Sequence, residues 1–529
     1  MIKHPRSVTD RVFEVWRSPG RFTKNPDVVQ LPSGRLLLVY CDNDGHWSQE
    51  NQILTLLASD DAGQTWFKHR VIAEHDLRKG EERLVTPRLS LLSDGRLVAL
   101  IDQDDFGHFH EDLPPGILAW WSNDGGDIWS GVQDTGIRGF EPDRIVELPD
   151  GRLAVCSHIM RGQTQNFAEI FSTSSDGGRT WHEASEIAHD GFQHFCEGAL
   201  VVLDGGKTLA CVMRDNLNGG YPSWVAFSKD AGQTWSPPAM APFAGHRPYA
   251  KQLPDGRALV TFRNVNGGLG TYAWCGDLER ELGYQIGGPP TEFVARLDHD
   301  ALIAENRPAT ACRYTLLPPE SSLSEIHFEA TLKVEGPPNT AIAFMAIARL
   351  GTVLKMGPDF LSIGDRVDFR RRVDLTVFRR VGIHHRRGLL QVQVDGETIM
   401  RNHIFRGEVP LAGWNRLEPL SGRSHFGQVG EAGRSYWKQL SYQVANRNRP
   451  DFSWSWDAAS GIWPDDYQRR RLIQIHANVP LQEPWPDNGY SSWLTLPDGR
   501  IFFVDYTNCG DRPSTSHLVG VYLTSEDFG

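Results

Sequence analysis

The chain has 529 residues, a formal net charge of −12 and 40% hydrophobic residues. That acidic balance excludes nonspecific nucleic-acid binding, which needs a basic surface to displace counterions. The length exceeds one ordinary compact domain unless that domain is a large repeat fold. With 52 glycines, 17 tryptophans and no long amphipathic helical pattern, the expectation is many short strands joined by turns.

The N-terminal stretch Met1-Ile2-Lys3-His4-Pro5-Arg6-Ser7 lacks the apolar core of a secretory leader, and no run approaches the length of a membrane span. The expected location is cytoplasmic, although a protein whose leader had been removed would read the same. Seven cysteines (Cys41, Cys156, Cys196, Cys211, Cys275, Cys312, Cys509) are odd in number, scattered and never in a CxxC pair. Several follow apolar strand residues, which points to buried reduced thiols rather than disulfides or metal ligands. Arginine outnumbers lysine, a bias suited to planar recognition of carboxylates.

Taken in order, the chain repeats itself at a period of about 50 residues, the mark of a propeller or solenoid. Ser59-Asp60-Asp61-Ala62-Gly63-Gln64-Thr65-Trp66 recurs with its Ser at 122, 174 and 228; in the second copy Ile128 stands in the Thr position. A second repeat, strand, tight turn, strand, precedes each copy, with turns at Ser33-Gly34-Arg35, Asp94-Gly95-Arg96, Asp150-Gly151-Arg152, Asp204-Gly205-Gly206 and Asp255-Gly256-Arg257. A sixth turn, Asp498-Gly499-Arg500, follows Asp487-Asn488-Gly489-Tyr490. Six such units describe an all-β six-bladed propeller. The last unit lacks an outer strand, which residues 11–16 could supply.

The repeat breaks after residue 288. Alternating strands follow, ending in Val392-Gln393-Val394-Asp395-Gly396 and Glu397-Thr398-Ile399, a phrase that resembles laminin-G or concanavalin-like jelly-roll domains. The expected organisation is therefore blades one to five plus the closing strand in 1–288, an inserted β-sandwich in 289–446, and a bridging segment with blade six in 447–529. A short helix is expected over 464–470.

The S-x-D-x-G-x-T-W pattern resembles the Asp box of the sialidase (neuraminidase) superfamily. Its chemistry is local: the Asp folds back on turn amides, Gly permits positive φ and Trp packs between strands. If the innermost strands start at the top of the ring, the boxes lie on the bottom. The mouth then collects the residues that open strand one (Lys24, Arg88, Glu141, Asp143, Arg144, Glu197, His246, Arg247, Tyr490) and those that end strand two (Asp42, Asp44, Asp102, Asp104, Asp105, His158, Arg214, Asp215, Arg263, Tyr506). Glu197 and Arg214 stand 17 residues apart, as do Glu141 and His158. The polar residues thus keep one register.

Glu197-Gly198-Ala199, followed by Val212-Met213-Arg214, resembles the sialidase blade bearing a catalytic Glu and a substrate-binding Arg, and Gly489-Tyr490-Ser491-Ser492 resembles the strand presenting the tyrosine nucleophile. The resemblance implies that Tyr490 attacks the anomeric carbon, Glu197 takes its proton and Arg214 binds a sugar carboxylate. A neutral phenol suits an anionic sugar, which would repel a carboxylate nucleophile. The acid/base implied is Asp44, then Asp42. Lys24, Arg88, Arg144, Arg247, Arg263, Asp104, His158 and Tyr506 complete the expected substrate site. The family's first arginine is replaced here by Lys24, a point charge instead of a bidentate fork. The acidic, histidine-bearing loop after Asp102 has no recognised metal spacing, and neither a phosphate-binding glycine loop nor an HExxH helix occurs, so no cofactor or metal is expected.

The expected activity is that of a sialidase-like exo-glycosidase on a terminal, acidic sugar. A uronate lyase using His158, His246, Tyr490 or Tyr506, or a non-catalytic glycan-binding propeller, would be built on the same fold. The expected partner is a carbohydrate, with no nucleic acid and no membrane.

Overall fold

The computed structural model describes residues 6–104, 116–161, 166–191, 193–216, 222–265, 269–283, 286–287, 294–305, 312–320, 323–347, 350–364, 367–403, 424–429, 431–447, 450–478 and 487–529. Six antiparallel sheets form the propeller blades. Blade one comprises Phe22–Gln30, Leu36–Asn43, Asn51–Ser59 and Phe67–Asp76. Blade two has a broken inner strand (Arg83–Leu84, Arg88–Leu91), then Leu97–Asp104, Gly116–Ser122 and Gln133–Arg138. Blade three spans Val146–Glu147 to His182–Ala188, and blade four Phe195–Leu203 to Ala239–Met240.

Blade six is completed from the opposite end of the chain. Phe13–Trp16 pairs antiparallel with His517–Leu523, so an N-terminal strand closes the ring. Blade five holds a further joint: its outer strand is Leu472–Ala477, paired with Gly270–Gly276, and Arg6–Ser7 adds to that strand in parallel. The interruption therefore falls between the third and fourth strands of blade five, and the bridging segment returns first to blade five and only then to blade six. A helix over Asp466–Arg471 sits in this segment, its Tyr467 hydroxyl donating to Glu281 at 2.9 Å.

Within the interruption, eight strands between Val294 and Asp457 form one sheet and six between Cys312 and Gln428 form a second. Both sheets bury one core that includes Phe328, Leu332, Met345, Phe426, Trp437 and Tyr442. Alternation explains it: along Glu325–Glu335 every second residue is buried, the period of a strand with one face inward.

The Asp boxes are turn-building devices, as their local chemistry requires. In the first, Asp61 accepts from the Thr65 amide (2.9 Å) and hydroxyl (2.6 Å), and the Gly63 amide donates to Ser59 Oγ at 2.9 Å. Where Ile128 replaces Thr, the amide bond to Asp124 survives at 2.9 Å and the hydroxyl bond has no counterpart. The tight-turn arginines reach the same face: Arg35 pairs with Asp60 at 2.6 Å, Arg96 donates to Gly177 O at 2.9 Å and Arg152 to Ala231 O at 3.2 Å. Gly178 shows why its position excludes side chains: with φ +89°, a Cβ there would lie 2.5 Å from the Trp121 ring of the preceding blade.

Near the axis, side chains of one inner strand receive backbone amides of the next. Ser90 accepts from Ile145 N at 2.9 Å and Asp143 from Leu200 N at 2.8 Å. Asp27, fully buried, accepts from Val28 N (3.0 Å), from Leu89 N of blade two (2.9 Å) and from the Ser492 hydroxyl of blade six. All seven cysteines are unpaired, and six are buried. Among the described residues no helix is long and apolar enough to cross a membrane. Replacing Asp27 by Ala removes the acceptor of the buried Leu89 amide and Ser492 hydroxyl, which ties blade one to blades two and six, so Asp27→Ala is expected to lose about 2–4 kcal/mol of stability. Urea unfolding checks this; a loss below about 1 kcal/mol would show that the joint does not depend on this carboxylate.

Candidate active site

The mouth is built by a distortion that recurs where the inner strands open. Asn25 (φ 54°), Glu141 (46°), Glu197 (51°), Arg247 (48°) and Tyr490 (100°) all lie in the left-handed region. In blades one, four and five this residue sits inside a register shift, between Lys24 and Asp27, Cys196 and Ala199, and His246 and Tyr249. Such backbone is costly for residues with a Cβ and persists where the surroundings hold it. Several of those holds are visible. The Glu141 amide donates to Asp102 (2.9 Å), the Glu197 amide to His158 Nδ1 (3.3 Å) and the Arg247 amide to Glu197 Oε2 (2.9 Å).

These turns bring Tyr490, Glu197 and Glu141 together. The Tyr490 hydroxyl lies 3.1 Å from Glu197 Oε1 and 3.1 Å from Glu141 Oε1. A guanidinium packs on the phenol ring from each of two positions in blade five, Arg247 at 5.1 Å and Arg263 at 5.7 Å from its centroid. Arg214 is ion-paired with Glu197, and Arg247 lies 3.6 Å from Glu141.

The two glutamates differ in charge. Burial pushes the Glu197 carboxyl up, but Arg214 and Arg247 outweigh it and hold Glu197 well below the usual range. Glu141 is pushed up to about 8, by burial first and then by the charge of Glu197. The phenol of Tyr490 is raised well above 10 by burial and by both glutamates. One phenol proton cannot serve two carboxyls: ionised Glu197 accepts it, and Glu141 keeps its own proton to donate back.

A second cluster borders the first. Asp487 accepts from the Tyr506 hydroxyl at 2.6 Å, pairs with His46 Nδ1, and lies 3.7 Å from Arg263. Burial raises the Asp487 carboxyl, and His46 and then Arg263 overcome that effect and keep it ionised.

The remaining expected residues are dispersed. Asp44 is bound into its own turn by the Ser48 hydroxyl and by the amides of Gln49 (3.1 Å) and Glu50 (3.1 Å), which overcome burial and hold it below its usual range. Asp42 pairs with Arg21 at 2.8 Å. Lys24 is buried and donates to His46 O at 3.0 Å; burial lowers its pKa. His158 is packed 4.9 Å from the Phe167 ring, and burial pushes it down to about 3, so it is a neutral support for the Glu197 backbone. Arg88 and Arg144 lie deeper on the axis, against the ring of Tyr249 at 5.5 and 4.9 Å. Asp104 ends the second strand of blade two; its side chain and the loop 105–115 lie outside the described residues.

Sequence reasoning placed Glu141 in the mouth but gave it no role, although its register matched that of Glu197. It gave none to His46 or Asp487 either, and only their contact identifies them.

Residues 71–272 match the family described as a BNR repeat-like domain. Among curated proteins none matches the sequence. Among solved structures, a protein of unknown function from Dyadobacter fermentans is similar at 20% identity, covering 60% of this chain and 95% of that one, with a TM-score of 0.45. The Trypanosoma rangeli sialidase is similar at 12% identity, covering 81% and 92%, with a TM-score of 0.40. The Penicillium chrysogenum α-L-arabinanase is similar at 16% identity, covering 56% and 92%, with a TM-score of 0.40. By its sheet architecture and its four Asp boxes the chain is a six-bladed β-propeller, and its residues 71–272 form a BNR repeat-like domain.

Proposed function

We propose that the mouth is the active site of a sialidase-like glycoside hydrolase acting on a terminal, acidic sugar. The observation that carries this reading is the Tyr490 hydroxyl, 3.1 Å from both Glu197, which its arginines favour as the carboxylate, and Glu141, whose carboxyl burial and Glu197 push up to about 8. In the resting site the phenol is neutral. It becomes a nucleophile by giving its proton to Glu197 as it attacks the anomeric carbon, and Glu141 donates a hydrogen bond to the oxygen that loses the proton. A covalent sugar–tyrosine intermediate would then be hydrolysed with net retention.

Charge supports an acidic substrate. With Glu141 protonated, three guanidiniums (Arg214, Arg247, Arg263) face two carboxylates, Glu197 and Asp487. The guanidiniums alone outnumber the carboxylates, and a sugar carboxylate is complementary to that excess. Arg263 is the most exposed of the three, which makes it the first contact for that carboxylate. The acid that protonates the leaving oxygen is better assigned to His46, which is paired with Asp487, than to Asp44, whose oxygens are spent on its own turn.

Removing the nucleophile by Tyr490→Phe, or its base by Glu197→Gln, is expected to lower kcat by about 10³-fold or more. An activated fluorinated glycosyl fluoride of the substrate sugar should label the peptide containing Tyr490, as read by mass spectrometry. Wild-type turnover in Tyr490→Phe ends the nucleophile assignment.

The pH dependence follows from Glu141. Raising the pH through about 8 ionises it and reduces the positive excess, so KM for an acidic substrate should rise on that limb. Glu141→Gln mimics the protonated form and should flatten the limb while keeping most of kcat. If the limb persists unchanged in Glu141→Gln, the titrating group is another.

For the acid, His46→Gln should cost about 10²-fold with a poor leaving group and little with an activated aryl glycoside. Rates on both substrates measure this, and the same leaving-group dependence in Asp44→Asn instead would return the role to Asp44.

A further inference from the structure

Beneath the mouth, the propeller axis holds a cluster of charges that the proposed reaction does not use. Tyr249, two residues past Arg247 on the inner strand of blade five, is buried. Three cations surround its ring: the guanidiniums of Arg88 at 5.5 Å and Arg144 at 4.9 Å, and the Lys251 ammonium at 5.1 Å from the centroid. They come from blades two, three and five, so only ring closure brings them together.

Two carboxylates share this layer, Asp27 and Asp143, and both are committed elsewhere. Asp27 accepts from the Val28 and Leu89 amides and the Ser492 hydroxyl. Asp143 accepts from the Leu200 amide at 2.8 Å, with Arg144 at 3.5 Å. Arg144 Nη2 donates to Leu200 O (3.0 Å) and Ala250 O (2.7 Å). Lys251 donates to Trp493 O at 3.1 Å, one of the three bonds an ammonium can make. Arg88 is 2% exposed, and its Nε is buried with no hydrogen-bond partner among the described residues.

A buried guanidinium donor without an acceptor is costly, and three cations against two carboxylates leave one positive charge over. We infer that the charge cluster beneath the mouth binds a small monovalent inorganic anion, of the chloride class, between Arg88 and Lys251. The single excess charge selects a monovalent ion. The alternative way to balance the layer is for Lys251 to release its proton. Burial, then Arg144, pushes its pKa down to about 7, so the two ways compete near neutrality and the anion favours the charged lysine.

The test uses the full chain at neutral pH. Thermal unfolding is followed at constant ionic strength in sodium gluconate, chloride and bromide, and crystals grown in bromide are examined for anomalous scattering on the axis. A saturable rise in the midpoint of about 2 °C or more in chloride or bromide over gluconate is expected, with one bromide beside Arg88 and Lys251. Lys251→Met removes both the excess charge and the requirement for the ion, so its midpoint should be the same in all three salts. Arg88→Met gives the same readout should Lys251→Met fail to fold. Equal midpoints for the wild type in all three salts, no bromide peak on the axis, or an anion dependence retained in both variants overturns the proposal.

Discussion

The constraint on which this molecule turns is the left-handed residue that opens an inner strand. In a straight ladder, successive side chains point to alternate faces of the blade, toward its neighbours. A single residue with positive φ breaks that alternation and turns a side chain toward the axis. Glu141, Glu197, Arg247 and Tyr490 are all turned this way, and each non-glycine residue so placed costs about 1–3 kcal/mol. The strain is offset locally: Asp102 and His158 hold the amides of Glu141 and Glu197, and Glu197 in turn holds the amide of Arg247. The blades thereby support one another's distortions in sequence around the ring.

Once the side chains converge, electrostatics assign their states. Glu141 and Glu197 are alike in register and in distance from the phenol, yet they carry different charges. Glu197 has Arg214 directly upon it, while Glu141 has Arg247 at 3.6 Å and a charged neighbour in Glu197. Two like carboxylates in one buried site cannot both ionise cheaply, and the better-paired one takes the charge. A proton acceptor and a proton donor thus arise from the same residue type within one site.

The surrounding groups serve the same end. His158, neutral and wedged against Phe167, supports the Glu197 backbone without adding charge. Lys24 does the equivalent for the loop that carries His46. Below them the inner-strand carboxylates Asp27 and Asp143 are consumed in tying blades together. The cationic side chains of that layer, Arg88, Arg144 and Lys251, outnumber those two carboxylates.

Much of the fold was legible in the sequence because a propeller is written as a repeat. The Asp boxes, the glycine–arginine turns and the strand from residues 13–16 depend on contacts within a few residues or on a shared register, and local chemistry suffices for them. Register alone also placed Tyr490, Glu197, Arg214, Arg247 and Arg263 at one mouth. It could not separate Arg88 and Arg144 from them, because depth along the axis is set by where the bulge falls in each inner strand. It could not see that Asp44 would be spent on its own turn while His46, two residues later, would meet Asp487 from the far end of the chain. Nor could it place the interruption inside blade five, since the outer strand's partner is chosen by sheet pairing across almost 200 residues. By itself the sequence determined the repeat, the ring and the residue types at its mouth. The tertiary structure decided which charges pair, because pairing in a buried site depends on distances between blades that no single blade encodes.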